Sequence, residues 1–290
     1  MLEQGLCNYV VVSYGHSALS SGGMQLLFQE LGGNDIVYGH VGATGGYALA
    51  ARKAMCDFDT GPETWQHVAV GQRKWANLNP QAISYERYLS HDDYMNSRYV
   101  VEPFRLFDNC LVNDGGRAYI VTSYERARDL KNPPVRIMGI GQHNPSVDIQ
   151  QMTYMAGPTG AKKASEMAFS MAKIGLNDVD ACQIYDCFTY TVELTLQDYG
   201  FFKPGEGRDW FEGGTIEPGG RMPVNTSGGQ LSEAYYMGLT PLTEAVMQLM
   251  GRCGERQLGP MTKTKQPEII LCSDNGGIFQ SHSCCIVRRE

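Results

Sequence analysis

Three stretches of this chain set hydroxyl-bearing side chains beside glycine turns. The first is Ile184-Tyr185-Asp186-Cys187-Phe188-Thr189, which follows an apolar approach. The second is Pro223-Val224-Asn225-Thr226-Ser227-Gly228-Gly229-Gln230-Leu231-Ser232-Glu233-Ala234-Tyr235. The third, near the end, is Leu271-Cys272-Ser273-Asp274-Asn275-Gly276-Gly277. A phenol ionises near pH 10, so tyrosine is a weak base but a well-matched acid toward an enolate carbon. A serine hydroxyl does not deprotonate as a thiol does, so Ser273 brings no acid–base group. Alone, a tyrosine at a strand end anchors the strand through its hydroxyl. Alone, a glycine pair permits a tight turn and nothing more. The three stretches act together only if the fold brings them to one pocket.

The elements that must position them alternate between strand and helix. Ala181–Tyr185 reads as a short buried strand with Tyr185 at its C-terminal end, where open α/β sheets bind ligands. Phe188–Gly200 reads as the helix that follows, with Val192, Leu194, Thr195 and Tyr199 packing. Val135–Gly141 is a predicted strand, and Gly160–Ile174 a helix with Ala164, Met167, Ala168 and Met171 on one face, ended by Gly175. Leu231–Met250 is a long helix interrupted near Gly238 and Pro241, followed by strands over Glu268–Ser273 and Ser283–Arg288. This order predicts an α/β architecture with helices covering a sheet.

The first half is less regular. Tyr9-Val10-Val11-Val12 reads as a buried strand after a helix tail broken at Gly5. Helices are predicted over Gly45–Phe58 and Pro62–Asn77, the second with Trp65, Val68, Ala69 and Arg73 at helical spacing. The turn Asn113-Asp114-Gly115-Gly116 leads into strand Ala118–Val121 and a short helix Tyr124–Leu130. The breaker Lys131-Asn132-Pro133-Pro134 then divides a first region, 1–134, from a second, 135–290. The Gly- and aromatic-rich stretch over about 17–103 reads as an insertion that covers a site.

At 290 residues the chain can bury a sizeable core. Its net charge of −7, with no basic block, excludes a nucleic-acid surface of clustered Lys and Arg. No apolar run is long enough to span a bilayer, which takes about 18 residues or more. The nine cysteines are scattered, with no Cys-x-x-Cys pair, and read as reduced thiols of a cytoplasmic protein. His16, His40, His67, His91 and His143 show no ligand spacing, so no metal site is expected, whereas His282 follows the Gly276-Gly277 turn closely enough to reach the pocket.

The three stretches resemble the active-site loops in the C-terminal half of a thiolase, most closely the sterol-carrier-protein-type thiolases. That resemblance implies a layered αβαβα fold. It also exposes three replacements. The family places Asn-Glu-Ala-Phe or His-Asp-Cys-Phe where this chain has Tyr185-Asp186-Cys187-Phe188. It places Gly-His-Pro, whose histidine stabilises the thioester enolate, where this chain has Ala234-Tyr235-Tyr236. It places a proton-moving cysteine two residues before a triple glycine, where this chain has Ser273. Cys272 is one residue off, which on a strand turns it to the other face and into the core. The family nucleophile precedes a segment like Glu3–Val12, so the N-terminal half of the fold is expected to be incomplete, its first strands and the nucleophile missing.

Tyrosines at both positions resemble the lipid-transfer-protein-type aldolases, thiolase relatives that shorten steroid side chains held as CoA thioesters. The resemblance implies retro-aldol cleavage of a β-hydroxyacyl-CoA, a reaction that needs no covalent intermediate and so no nucleophilic cysteine. It needs a base at the β-hydroxyl, an acid at the enolate carbon, and donors at the enolate oxygen. Tyr235 is assigned to the enolate side and Tyr185 to the hydroxyl side. Asn225, Ser227, Gly228, Gly229, Gly276, Gly277 and His282 are the expected substrate-binding residues, and Asp186 is structural. No cofactor is implied beyond the coenzyme A of the substrate. Implied partners are a second copy of the chain and a separate OB-fold, zinc-ribbon subunit. An acyltransferase of the thiolase type and a non-catalytic thiolase-like subunit are the alternatives.

Overall fold

The computed structural model describes residues 1–22, 35–38, 42–146 and 149–290. Along the chain run β1 (Tyr9–Ser17), α1 (Gly42–Asp57), α2 (Pro62–Ala76), α3 (His91–Met95), β2 (Tyr99–Val101), β3 (Phe104–Arg105), β4 (Asp114–Thr122) and α4 (Tyr124–Ala127). There follow β5 (Val135–His143), α5 (Gly160–Ala172), β6 (Ala181–Gln183), α6 (Thr189–Tyr199), α7 (Gly207–Phe211), α8 (Gly229–Ser232), α9 (Leu239–Leu249), β7 (Ile269–Gly276) and β8 (Ser281–Arg289).

The second region forms a four-stranded sheet of order β5-β8-β7-β6. Strand β6 is parallel to β7, and β8 is antiparallel to both β7 and β5. Helix α5 lies close on β5 because both surfaces are small. A Cβ on Gly139 or Gly141 would stand 2.1 Å from the Ala168 carbonyl oxygen or 2.0 Å from that of Ala164. Only glycine on the strand permits that approach, and the helix meets it with alanines. The buried stripe of α5 is accordingly Ala161, Ala164, Ala168 and Ala172, while Met167 and Met171, expected on it, are exposed. The opposite face of the sheet packs Ile270, Cys272 and Val287 against Ala245 and Leu249 of α9.

The helices of the first region belong to the core. Helix α2 buries Trp65, Val68 and Trp75 completely. Trp75 Nε1 donates to the Ile216 carbonyl at 2.8 Å, and Trp65 Nε1 to Glu193 Oε2 of α6 at 2.7 Å. With Tyr47 of α1, Phe104, Phe188, Tyr190 and Phe279, Trp65 forms an aromatic cluster. The expected covering insertion over 17–103 therefore does not describe α1 and α2. Part of that stretch, including His40, lies outside the described residues.

Strand β1 also differs from expectation. It pairs antiparallel with β4 in a separate two-stranded sheet, and it is not buried: Tyr9 is 53% and Val11 63% exposed. Its β-branched run reflects strand propensity, which does not require burial on both faces. Among the described residues no helix is long and apolar enough to cross a membrane.

Candidate active site

Strand β6 stops after three residues because side chains replace its ladder. Asn225, at φ 53°, turns its amide onto Ile184: its Nδ2 donates to the Ile184 carbonyl at 2.9 Å, and its Oδ1 accepts the Ile184 N–H at 2.6 Å. The next N–H, of Tyr185, donates to Ser273 Oγ on β7 at 3.0 Å. The chain then leaves the sheet, and the Tyr185 ring departs from the strand end. Cys187 and Phe188 are held in turn by a neighbouring segment: Cys110 N–H donates to the Cys187 carbonyl at 3.0 Å, and Asn109 bridges to Phe188.

The second loop folds against the first through Asp186. Its Oδ1 accepts the Gln230 N–H at 3.0 Å and its Oδ2 that of Leu231 at 3.2 Å, at the start of α8. Burial pushes this carboxyl up to about 7, against the pull of those N–H groups. Asp186 is thus the structural residue expected of it. Gly229 is at φ 60°, and a Cβ there would lie 2.1 Å from Asp186 Oδ2. Gly228, at φ 103°, would put a Cβ 2.6 Å from that of Ala76 at the end of α2. Both glycines are thus required by close backbone approach.

After α8 the chain carries Tyr235 back toward the first loop, and the two phenols meet. Tyr185 and Tyr235 hydroxyls lie 3.1 Å apart, one donating to the other. Tyr185 is 6% exposed, whereas Tyr235 is only partly buried. Burial pushes both phenols above their usual range, so both are protonated at neutral pH. The thiols nearby are neutral for the same reason: Cys110 is pushed up to about 12, and Cys187 is raised well above its ordinary value.

The third loop supports the pair from below. Ser273 is buried and spends its oxygen on the Tyr185 N–H. Cys272 faces α9, as its one-residue offset requires. Asn275, one pleat beyond Ser273, accepts the Tyr47 hydroxyl at 2.6 Å. The turn that follows places Gly277, Ile278 and Phe279 all at positive φ, and Gln280 N–H donates back to the carbonyls of Gly276 and Gly277 at 3.1 and 3.0 Å. A β-branched residue there is an outlier held by its surroundings. Ile278 and Phe279 are both buried, the Phe279 ring against Tyr47 at 4.7 Å.

Of the residues picked out in the sequence, the two tyrosines are brought together. The expected ligand contacts fare differently. Asn225 and Ser227 are each 1% exposed and engaged within the loop, Asn225 with Ile184 and Ser227 Oγ with the Gly229 N–H at 3.3 Å. Gly228 and Gly229 are packed against Ala76 and Asp186. These four build the scaffold of the site, because their polar groups or Cα atoms face protein. Gly276 is exposed with open space around it, and Gly277 belongs to the tight turn. His282 is 2% exposed, stacked on Phe279 at 5.9 Å, and pushed down to about 4 by burial. Its Nε2 has no hydrogen-bond partner among the described residues. Tyr236 packs under the Arg117 guanidinium at 5.2 Å from the ring centre.

Three residues were not singled out. Asn113, read as part of a turn, contacts the Tyr235 peptide, as does His16 of β1. Tyr47 is one aromatic among many, on the helix predicted over Gly45–Phe58. Only Asn113 carried a signal: an Asn before Asp-Gly-Gly is a side chain free to bond backbone.

Comparisons with known proteins agree with this fold. The thiolase C-terminal domain-like family matches residues 141–289. The chain is 41% identical over 209 residues to a steroid side-chain-cleaving aldolase of Thermomonospora curvata, covering 70% of this chain and 53% of that protein. It is 36% identical over 208 residues to a 17-hydroxy-3-oxo-4-pregnene-20-carboxyl-CoA lyase of Mycobacterium tuberculosis, covering 70% and 54%. It therefore spans about half the length of these curated relatives. A solved structure titled "Ltp2-ChsH2(DUF35) aldolase" superposes with a TM-score of 0.84 at 29% identity, covering 99% of this chain and 74% of that one.

Proposed function

This chain belongs to the thiolase C-terminal domain-like family, and from that premise we propose that it cleaves a β-hydroxyacyl-CoA by a retro-aldol reaction. The observation that carries the reading is the contact between two neutral phenols at 3.1 Å, beside a serine where a thiolase has its proton-moving cysteine.

The proton balance of the reaction suits such a pair. Retro-aldol cleavage breaks the Cα–Cβ bond, turns the β-hydroxyl carbon into a ketone, and leaves a shorter acyl-CoA. Its net proton movement is from the β-hydroxyl oxygen to Cα. Tyr185 accepts the β-hydroxyl proton as it passes its own to Tyr235, and Tyr235 gives its own to the enolate carbon. Neither phenol changes its protonation over the cycle, so no strong base is required. That matters because burial makes a phenolate costly here. The Cα–Cβ electron pair moves into the thioester as an enolate, and in this reading the Tyr235 hydroxyl is assigned to the side on which that charge develops.

A thiolase-type acyl transfer is disfavoured by the same residues. It needs a proton-moving cysteine in the third loop, where this chain has Ser273, and the enolate-side histidine, where it has Tyr235.

The finer assignments follow the relatives. The acyl group is proposed to be a steroid side-chain thioester, since one relative is named a steroid side-chain-cleaving aldolase and another a 17-hydroxy-3-oxo-4-pregnene-20-carboxyl-CoA lyase. The neighbour's title names a DUF35 component, and this chain is proposed to work with a separate OB-fold, zinc-ribbon subunit of that kind, as a homodimer. A cytoplasmic location accords with nine free thiols among the described residues. The test is to incubate the purified protein, alone and with such a subunit, with a branched β-hydroxyacyl-CoA. A ketone and a shorter acyl-CoA are expected. Condensation of two acetyl-CoA molecules in place of cleavage would overturn the reading.

A further inference from the structure

We propose that Asn113 is a positioning residue that sets the separation of the Tyr185 and Tyr235 hydroxyls; its kinetic consequence rests on the lyase reading, its contacts do not. Tyr235 lies in the irregular stretch between α8 and α9, where no helix or sheet ladder holds its peptide. Asn113 supplies what is missing. Its Oδ1 accepts the Tyr235 N–H at 2.7 Å and its Nδ2 donates to the Tyr235 carbonyl at 3.3 Å. His16 Nε2 stands 2.9 Å from the same carbonyl oxygen. One planar amide that grips both polar groups of a residue fixes that residue's orientation as well as its place. Asn113 is 3% exposed, so water does not compete for these bonds.

The segment that carries Asn113 spans both tyrosine loops. Asp108 anchors its start, accepting the hydroxyls of Thr189 at 2.5 Å and Tyr94 at 2.6 Å. Asn109 then bridges to Phe188, and Cys110 N–H donates to the Cys187 carbonyl at 3.0 Å. These bonds hold the Tyr185 loop. Leu111 N–H donates to the Gln230 carbonyl at 3.0 Å, and Asn113 grips Tyr235. These hold the other loop. Residues 108–113 are therefore a ruler laid across the site, and Asn113 is the mark that reads Tyr235. A displacement near 1 Å at reacting groups lowers rates by about 100-fold.

The experiment uses Asn113→Ala and Asn113→Asp, each also made in a Tyr235→Phe background, with kcat, KM, melting temperature and crystal structures. Asn113→Ala should lower kcat by about 10- to 100-fold with KM within about threefold, and should widen the hydroxyl separation beyond hydrogen-bond reach. In the Tyr235→Phe background it should lower kcat no further. Asn113→Asp retains an acceptor and, once protonated, regains a donor, so its kcat should recover as pH is lowered. An unchanged kcat, an equal loss in the Tyr235→Phe background, or an unchanged hydroxyl separation in Asn113→Ala would overturn the proposal. If the wild-type protein cleaves no β-hydroxyacyl-CoA, the lyase reading alone falls. The hydroxyl separation in the variant structure then still decides the positioning claim.

Discussion

Tyr185 and Tyr235, 50 residues apart in sequence, present their hydroxyls to each other at 3.1 Å. The contact is made by two loops that never share a ladder. One is anchored to β7 through Ser273, the other to the first region through Asn113. The pair is thus a product of tertiary structure, and each partner can be removed separately.

Tyr185→Phe and Tyr235→Phe each delete one hydroxyl and almost no volume, so folding should survive. Each should lower kcat by about 100-fold or more, within the range of general acid–base catalysis. A relay adds a distinctive expectation. The double variant should be little slower than either single one, because breaking the relay once already stops the proton. Steady-state kinetics of the three variants checks this, and independent, multiplying losses would show that the phenols do not act together.

Ser273→Ala tests whether the third loop still takes part in chemistry. Ser273 accepts the buried Tyr185 N–H, so its loss should cost about 1–3 kcal/mol of stability. Turnover should fall far less than in the tyrosine variants. Urea denaturation together with kcat separates the two effects. A rate loss as large as that of Tyr185→Phe would give Ser273 a chemical role.

Gly228→Ala and Gly229→Ala test the scaffold. Both positions are at positive φ, and an added Cβ would meet Ala76 Cβ at 2.6 Å or Asp186 Oδ2 at 2.1 Å. Strain and displacement together should destabilise by about 2–4 kcal/mol. The expected readout is a lower denaturation midpoint for each. An unchanged midpoint would mean that the loop relaxes freely.

Much of this architecture was legible beforehand, for identifiable reasons. Helix α6 ends at Gly200 as the pattern required, since that residue takes φ 93° and closes the helix. Strands β5, β7 and β8 stood where the apolar runs placed them. The two tyrosines were legible through their loop context, which single residues do not carry. Other features were hidden. The aliphatic run of β1 is as apolar as an inner strand's, and its exposure is set by what lies across from it. Trp65 and Trp75 lie on a helix that was legible, but their burial depends on Glu193 and Ile216, far along the chain. Asn225 is expected at the substrate through the loop resemblance, and its positive φ, which turns the amide back onto Ile184, is not written in its type. Asn113 was missed because its partner, Tyr235, lies 122 residues away.

His282 gives a pH signature. Its ordinary value of 6.5 is lowered to about 4 in the fold by burial. A base with a depressed folded value contributes stability above its unfolded value and loses it as pH falls through the folded one. Stability should therefore decline between about pH 6.5 and 4, by roughly 3 kcal/mol at the limit. His282→Phe keeps a ring stacked on Phe279 and should remove that component of the acid slope. Denaturation at pH 7 and pH 4 for both proteins checks the sign, and an identical slope in the variant would place the titration elsewhere.

The central claim is that two phenols carry the β-hydroxyl proton to the α carbon as the bond breaks. A single turnover in D2O, with a branched β-hydroxyacyl-CoA and mass analysis of both products, tests it most directly. Phenolic and hydroxyl protons exchange with solvent, so the account predicts a ketone and a shorter acyl-CoA bearing one deuterium at Cα, with both products formed about 100-fold or more slowly in Tyr185→Phe and Tyr235→Phe. Intact substrate from the wild-type protein, or undiminished cleavage in the two tyrosine variants, would contradict it.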